Sequence, residues 1–246
     1  MPVELIKTGV SGLDQILKGG LRRNSSILIT GAPGTGKTIL ALQFIYYGAK
    51  DHNENGIFIT TEENLEDIRQ FAKNLGMDLS SMEGKGKLFF VQKPITTLKG
   101  GLSSIKGLVD AIKKHNVKRV VLDSLIFFEY LYPRFDGKKM EFRRQVLIFM
   151  HELKKAGVTF LAVSERSVTD FDRLTYDMMD FVFEGFIVLS RIRKGSYFER
   201  VITVAKIRGQ DHSLDVYPIT IGNEGLKVLY DQTPFSLVEK EETGFK

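Results

Sequence analysis

Short apolar runs rich in β-branched residues recur along the first part of the chain, each bounded by polar or turn-forming residues. The runs are SSILIT (25–30), GIFITT (56–61), KLFFVQ (87–92), RVVLDS (119–124) and VTFLAVS (158–164). Continuous rather than alternating hydrophobicity is typical of strands that are buried on both faces of a parallel sheet. The pattern therefore predicts five buried strands in this part of the chain.

Segments with helical periodicity separate these predicted strands. In one of them Leu65, Ile68 and Leu75 recur at helical spacing. The predicted helices cover 37–49, 64–75, 101–115 and 140–156. Regular alternation of strand and helix predicts an α/β fold, with a mostly parallel sheet flanked by helices.

The pattern changes after about residue 180. Residues 180–209 contain two apolar runs around the turn RKGS, and YPITIGNEGLKVLY (217–230) contains two more around GNEG. Because no helical segment separates these runs, we predict antiparallel hairpins that extend the sheet at its edge. Neither a repeat nor a linker divides the chain, so we expect one domain over residues 1–246, with a core at about 8–230 and a charged tail at 231–246.

Composition narrows the class of protein only slightly. The 246 residues are 43% hydrophobic and 26% charged, which is ordinary for a globular domain, and the formal charge of +5 permits nucleic-acid contact without requiring it. The absence of cysteine excludes disulfides, thiolate zinc sites and a cysteine nucleophile. No apolar run approaches the roughly 20 residues of a membrane span, and the N-terminus does not read as a secretory signal. We therefore expect a cytoplasmic protein that does not bind membranes.

The stretch GAPGTGKT (31–38), called the phosphate loop below, fits the pattern G-x-x-x-x-G-K-[ST] between a predicted strand and a predicted helix. Its glycines allow several backbone N–H groups to point at a phosphate, and the helix N-terminus adds favourable partial charge. We expect Lys37 to reach the β- and γ-phosphates of ATP or ADP, and Thr38 to ligate Mg²⁺. The predicted nucleotide-binding residues here are Gly31, Ala32, Pro33, Gly34, Thr35, Gly36, Lys37, Thr38 and Ile39.

Three carboxylates follow predicted strands. Asp123 ends the run RVVLDS, where a second magnesium ligand is expected. Glu62 and Glu63 end the second predicted strand, and ligands of α/β sheets bind beyond the carboxyl ends of the strands. One glutamate can orient or deprotonate an attacking water, and neighbouring strand residues face opposite sides, so one role for both is not expected. The alternative is that the pair only favours the start of the helix near Asn64.

Four stretches together resemble the RecA-like ATPases and, within them, the KaiC-like group. They are TGVSGLDQILKGGL (8–21), GAPGTGKT, TTEEN (60–64), and KIRGQDHS (206–213) followed by YPITIGNEGLKV. The resemblance spans residues 8–230 and implies a RecA-like P-loop NTPase core. It also implies ATP at subunit interfaces, usually in a homo-hexameric ring, with Glu62 and Glu63 as the catalytic pair and Glu62 as the base.

The resemblance further implies that Lys206 and Arg208 reach the γ-phosphate of ATP held by a neighbouring subunit, where cations stabilise transition-state charge. The alternative is that they form a solvent-exposed basic strand end. By the same resemblance, His212 assists this interface and Ser164 is a polar sensor residue of the nucleotide site. One departure from the family pattern is Asn24, which stands where glycine is expected.

RecA-like recombinases bind DNA through two loops, for which the candidates here are 130–140 and 166–180. The first is basic and aromatic, which suits stacking on single strands, whereas the second carries net negative charge that would repel phosphates. We therefore expect an ATPase that converts ATP and water to ADP and phosphate in a regulatory or signalling role, with its protein partner open. The alternatives are a recombinase-type single-stranded DNA-binding ATPase and an ATP-dependent scaffold with negligible turnover.

Overall fold

The computed structural model of the chain describes residues 4–92, 101–125, 139–166 and 181–237. The strands are β1 Leu5–Ile6, β2 Leu21–Arg22, β3 Ser26–Gly31, β4 Asn55–Thr60, β5 Leu88–Gln92, β6 Val117–Asp123, β7 Thr159–Glu165, β8 Gly185–Lys194, β9 Tyr197–Ile207, β10 Val216–Gly222 and β11 Gly225–Val228. The helices are α1 Leu13–Ile16, α2 Lys37–Asp51, α3 Leu65–Asn74, α4 Leu79–Gly84, α5 Gly101–Lys114 and α6 Lys139–Lys155. None of these described helices is long and apolar enough to cross a membrane.

Nine of the strands form one sheet in the order β11-β10-β9-β8-β3-β7-β6-β4-β5. The six strands from β8 to β5 are mutually parallel, whereas β9, β10 and β11 continue the sheet in antiparallel pairing. The α/β class, the mostly parallel sheet and the C-terminal antiparallel strands are therefore confirmed.

Strand β8 differs in one respect from the expectation of an antiparallel hairpin at the sheet edge. It pairs parallel with β3, from Ile27↔Gly185 to Gly31↔Leu189, and antiparallel with β9. Its residues Phe186 to Leu189 are all at most 1% exposed, and burial on both faces suits an inner parallel strand. The phosphate loop consequently follows an inner strand, with β7 on one side and β8 on the other.

Two apolar cores lie on the two faces of the sheet. Helices α2, α3 and α4 contribute to one of them, and Phe44 of α2 is completely buried there. Helices α5 and α6 contribute to the other through Ile112, Phe149 and Leu153. This layered packing fixes the sheet, so that the carboxyl ends of β3, β4, β6 and β7 open at the same edge.

The N-terminal segment 8–21, which we call the lead-in, packs against the C-terminal part of the chain. Val228 N donates to Ser11 O at 2.8 Å, and the Gln210 amide donates to the carbonyls of Leu17 and Gly20. These contacts explain why the stretches 8–21 and 206–213 belong to one structural unit. At Asn24 the backbone φ is 59°, a left-handed conformation that asparagine tolerates, so the turn keeps a conformation that glycine also adopts readily.

Candidate functional site

A cleft of about 870 Å³ opens at the carboxyl edge of the parallel strands. Its walls include the phosphate loop, Glu62, Glu63 and Asp123. These groups come from the ends of three different strands, β3, β4 and β6, and the sheet brings them together at one edge. The sequence-predicted phosphate, water-activating and metal groups therefore share one cavity.

The phosphate loop turns between the end of β3 and the start of α2. Gly34 and Gly36 have φ values of 77° and 107°, in a region that side-chain-bearing residues rarely adopt. The Thr35 hydroxyl donates to Ala32 O at 2.8 Å and closes the turn. A Cβ atom at Gly36 would lie 3.0 Å from Leu226 Cδ1, so both conformation and space favour glycine at this position.

Lys37 is buried, with 6% of its surface exposed. Its Nζ donates to Ala32 O at 3.1 Å and lies 4.0 Å from a Glu165 carboxylate oxygen. Burial lowers the pKa of Lys37, and the charges of Glu165, Asp123 and Glu62 oppose that effect. A buried ammonium beside a glycine-rich loop fits a phosphate ligand, which would supply negative charge next to it.

The Thr38 hydroxyl donates a 2.7 Å hydrogen bond to Asp123 Oδ2. Burial raises the pKa of Asp123 to about 6, although the hydrogen bond from Thr38 acts in the opposite direction. The end of β6 is held in place because Asp123 O accepts from Thr61 N at 3.0 Å. Hydroxyl and carboxylate oxygens are hard ligands of the kind that Mg²⁺ prefers, so this pair fits a magnesium ion next to bound phosphates.

Glu62 and Glu63 both line the cleft just after β4. The Thr60 hydroxyl bonds both the backbone N and the backbone O of Glu63, at 3.2 and 3.1 Å, which fixes this turn. Burial raises the pKa of both glutamates; Glu165 and Glu63 add to the effect at Glu62, and Asp67 adds to it at Glu63.

The start of α3 has its own capping residue. Asn64 is the N-cap, and its side chain accepts from Glu66 N at 2.9 Å. Glu66 and Asp67 are the acidic residues of the first turn. The α3 N-terminus is thus already capped, which leaves Glu62 and Glu63 available to the cleft.

Three charged residues of the described cleft wall were not predicted from the sequence, namely Asp67 in the first turn of α3, Glu165 and Arg200. Glu165 ends β7 beside Lys37, and Arg200 of β9 donates from Nε to Gly34 O at 3.2 Å. Glu165 directly follows Ser164, the predicted sensor residue. Ser164 itself pairs with Thr30 on β3 and is not part of the cleft wall formed by described residues, whereas Val163 and Glu165 are. Alternation along β7 explains this, because neighbouring strand residues face opposite sides.

Lys206 and Arg208 lie at the other end of the sheet from the phosphate loop. Ile207 pairs with Gly185, which pairs with Ile27 at the start of β3. At about 3.3 Å per residue, some 13 Å of strand separates that level from Gly31. Here Lys206 Nζ and Arg208 Nη2 donate at 2.8 Å to the carbonyls of residues 183 and 181, respectively. The structure therefore does not bring these cations into the cleft of their own chain.

His212 also lies away from the cleft. Its Nδ1 is 3.4 Å from Gln210 O, and the next residue, Ser213, donates from its N to Ile16 O at 2.8 Å. The side chain is half-buried near the lead-in. Of the two loops considered for DNA, residues 130–138 and 167–180 lie outside the described residues.

Comparisons with known proteins agree on one kind of relative. A family model described as "ATPase: KaiC" matches residues 6–233. The circadian clock oscillator proteins KaiC of Picosynechococcus sp. and Parathermosynechococcus lividus are 33% and 32% identical over 92% and 90% of this chain. The matched region covers only 44% and 42% of those two proteins, so the chain spans less than half the length of the curated relatives it matches.

A solved structure gives a likeness over a full chain. The crystal structure of a KaiC-like protein from the hyperthermophilic archaeon Pyrococcus horikoshii OT3 superposes with a TM-score of 0.79 at 31% identity. The match covers 92% of this chain and 99% of that one. The likeness therefore extends over nearly the whole of that solved chain.

Proposed function

Since the chain belongs to the KaiC family of RecA-like ATPases, we propose that it binds Mg·ATP in the cleft at the phosphate loop and hydrolyses it to ADP and phosphate. Family membership confirms the predicted RecA-like, KaiC-like fold and the expectation of an ATP-binding protein. The observation that carries the proposal of hydrolysis is the meeting of Lys37, the Thr38–Asp123 pair and Glu62 in one cleft.

Each group has a role that its surroundings support. The loop N–H groups and Lys37 hold the phosphates and neutralise their charge. Thr38 and Asp123 would hold Mg²⁺, which supplies charge neutralisation at the phosphate oxygens. Glu62 orients the attacking water and accepts its proton as the oxygen attacks the γ-phosphorus and ADP departs. A raised pKa makes Glu62 a better proton acceptor near neutral pH than an exposed glutamate.

The cations at the far end of the sheet support a site shared between subunits. Lys206 and Arg208 lie at the end opposite to the phosphate loop, so they serve a cleft only if that cleft belongs to another copy. We propose that copies assemble in a ring, with a hexamer as the predicted form, in which these cations reach the neighbour's γ-phosphate. Four expectations stay predictions: the role of His212 at this interface, the regulatory role, the single domain and the cytoplasmic location. The clock role named for the longer relatives is not proposed for this chain.

ATP turnover by Glu62→Gln, Glu63→Gln and Glu66→Gln variants tests the enzyme proposal. Loss of a general base costs typically 10²- to 10⁴-fold, so turnover by the Glu62→Gln variant should fall by about that factor while ATP binding persists. Glu66 carries an exposed carboxylate outside the cleft, and its variant should match the wild type. Assembled wild-type protein that binds ATP without measurable turnover would refute hydrolysis and favour the scaffold alternative.

A further inference from the structure

Strands β8 and β9 continue well beyond the phosphate loop as a two-stranded arm. The last pairing of β3 with β8 is Gly31↔Leu189, but the β8–β9 ladder continues to Lys194↔Tyr197. Five further residues of β8 at about 3.3 Å each extend the ladder by roughly 16 Å. We call residues 191–200 the β8–β9 arm.

One face of the β8–β9 arm is basic. In an antiparallel ladder, residues directly opposite each other share a face, and the faces alternate along each strand. The pairs Arg191↔Arg200 and Arg193↔Phe198 are two positions apart, so these four side chains lie on one face, which we call the basic face. The pair Ile192↔Glu199 lies between these two pairs, so its side chains lie on the other face. Tyr197, in the last pair of the ladder, also belongs to that other face.

The basic face begins at the nucleotide cleft and leads away from it. Arg200 contacts Gly34 O of the phosphate loop, whereas the pair Arg193↔Phe198 lies two positions further out, about 7 Å along the ladder. The pair Leu189↔Ile202 lies two positions before the pair Arg191↔Arg200, so its side chains belong to the same face of the sheet. Both side chains are buried in the core beside α2. The face is thus a continuation of the sheet surface that carries the phosphate loop.

Phe198 is 63% exposed on this face, a large fraction for a phenyl ring. The guanidinium carbon of Arg191 lies 5.8 Å from its centroid, which places a cation against the ring. The carboxylate of the arm, Glu199, belongs to the other face and accepts from the backbone N of Phe235 and of Ser236 at 3.4 Å. The chain's own C-terminal turn therefore engages the other face, and the arm's acidic group does not neutralise the basic one.

The basic face combines phosphate-binding guanidinium groups with an exposed ring on which a base can stack. From this geometry we infer that the β8–β9 arm binds single-stranded nucleic acid, with a base on Phe198 and phosphates at Arg191 and Arg193. Such stacking is tolerant of sequence because every base has a flat apolar face. The site goes beyond the proposed ATPase and is independent of the loops 130–140 and 166–180.

Fluorescence anisotropy with a labelled oligo-dT, the matching oligo-U and a DNA duplex tests the inference on the assembled full chain. Stacking of one base contributes roughly 1–3 kcal/mol, so Phe198→Ala should weaken single-strand binding about 5- to 150-fold. Arg193→Gln should reduce the slope of log affinity against log salt by about 0.7. Tyr197→Ala is the matched control, because Tyr197 is 56% exposed on the other face, and its variant should bind like the wild type.

Several results would overturn the inference. One is that wild-type protein does not bind oligo-dT at low salt. Another is that the Phe198→Ala and Tyr197→Ala variants lose equal amounts of oligo-dT affinity. A third is that the protein prefers the duplex and that its affinity for the duplex does not depend on Phe198. A change in sedimentation of the Phe198→Ala variant with unchanged oligonucleotide binding would instead assign the face to contacts between copies. ATP turnover without oligonucleotide should be unaffected by Phe198→Ala and Arg193→Gln, so failure of this inference and failure of the proposed ATPase are separable.

Discussion

Thr38 and Asp123 are 85 residues apart in the sequence, yet the Thr38 hydroxyl donates a 2.7 Å hydrogen bond to Asp123 Oδ2. The contact joins the first turn of α2 to the end of β6. It exists because β7 lies between β3 and β6 and pairs parallel with both, so their carboxyl ends stay level. Two hard oxygen atoms from distant parts of the chain are thereby held close enough together to ligate the Mg²⁺ ion that we propose.

Replacement of Asp123 with asparagine should weaken magnesium binding. The amide keeps an oxygen that can accept from Thr38 but removes the negative charge, so the magnesium concentration needed for half-maximal ATP turnover should rise at least about tenfold. Titration of Mg²⁺ at fixed ATP measures this. Asp110→Asn on the exposed side of α5 is the control and should leave the requirement unchanged. An unchanged requirement in the Asp123→Asn variant would remove Asp123 from the metal site.

The pKa of Asp123 predicts opposite pH effects on folding and on metal binding. Between its ordinary value of 3.8 and its value of about 6 in the fold, the folded protein holds a proton that the unfolded chain has released. The stability of the nucleotide-free protein should therefore fall as pH rises through this window. Magnesium needs the carboxylate form, so Mg²⁺ affinity should instead fall by up to about tenfold per unit as pH drops below about 6.

Urea unfolding of wild-type and Asp123→Asn protein between pH 4 and 7 isolates the contribution of this one carboxyl group. The raised pKa values of Glu62 and Glu63 act with the same sign, and they are common to both proteins. The difference in unfolding free energy between the two proteins should change with pH over this range. A pH-independent difference would show that Asp123 titrates normally in the fold.

The phosphate loop could be predicted from sequence because strand, loop and helix are contiguous there, and local spacing places Lys37 and Thr38. Arg200 could not, because its approach to Gly34 depends on β8 pairing with β3 and on β9 pairing with β8. The apolar run of β8 does not reveal its neighbour or its direction. Glu165 was missed for a more local reason. Side chains along β7 alternate between the two faces of the sheet, and the end of the apolar run does not show which of Ser164 and Glu165 faces the cleft.

A mixture of two inactive variants should test whether Lys206 and Arg208 act between subunits. Lys37→Ala removes a subunit's own phosphate site, and the double variant Lys206→Ala/Arg208→Ala removes the cations that we propose for the neighbour. In a mixed ring, some interfaces combine an intact cleft with intact cations, so part of the wild-type turnover should return on mixing. Turnover by each variant alone and by the mixture is measured after exchange of subunits.

The outcome of mixing separates the two placements of the cations. If Lys206 and Arg208 act on the nucleotide of their own subunit, turnover should not recover on mixing, because no chain in the mixture carries both an intact cleft and intact cations. Lys206 and Arg208 also bond backbone carbonyls of residues 183 and 181, so thermal melting of the double variant is compared with wild type beforehand. Recovery from a folded double variant would support the shared site, and its absence would contradict it.

Gly48 should tolerate alanine poorly although it lies inside helix α2. Arg119 is completely buried beside it, with Nε donating to Glu54 Oε2 at 2.7 Å and Nη1 to Phe44 O at 2.8 Å. A Cβ at Gly48 would lie 2.3 Å from Arg119 Nε, so the guanidinium would have to leave this network.

The cost of overpacking at Gly48 should exceed the helix propensity that alanine adds. In an exposed helix interior, alanine is more stable than glycine by about 1 kcal/mol. Overpacking typically costs about 1–3 kcal/mol, and displacement of the buried Arg119–Glu54 pair adds to that cost. Gly107→Ala in α5 is the matched control, because a Cβ there meets no atom of the described residues within 4 Å. Urea unfolding should show that Gly48→Ala lowers the free energy of unfolding while Gly107→Ala raises it slightly, and a gain of stability in both variants would contradict the packing of Arg119 against α2.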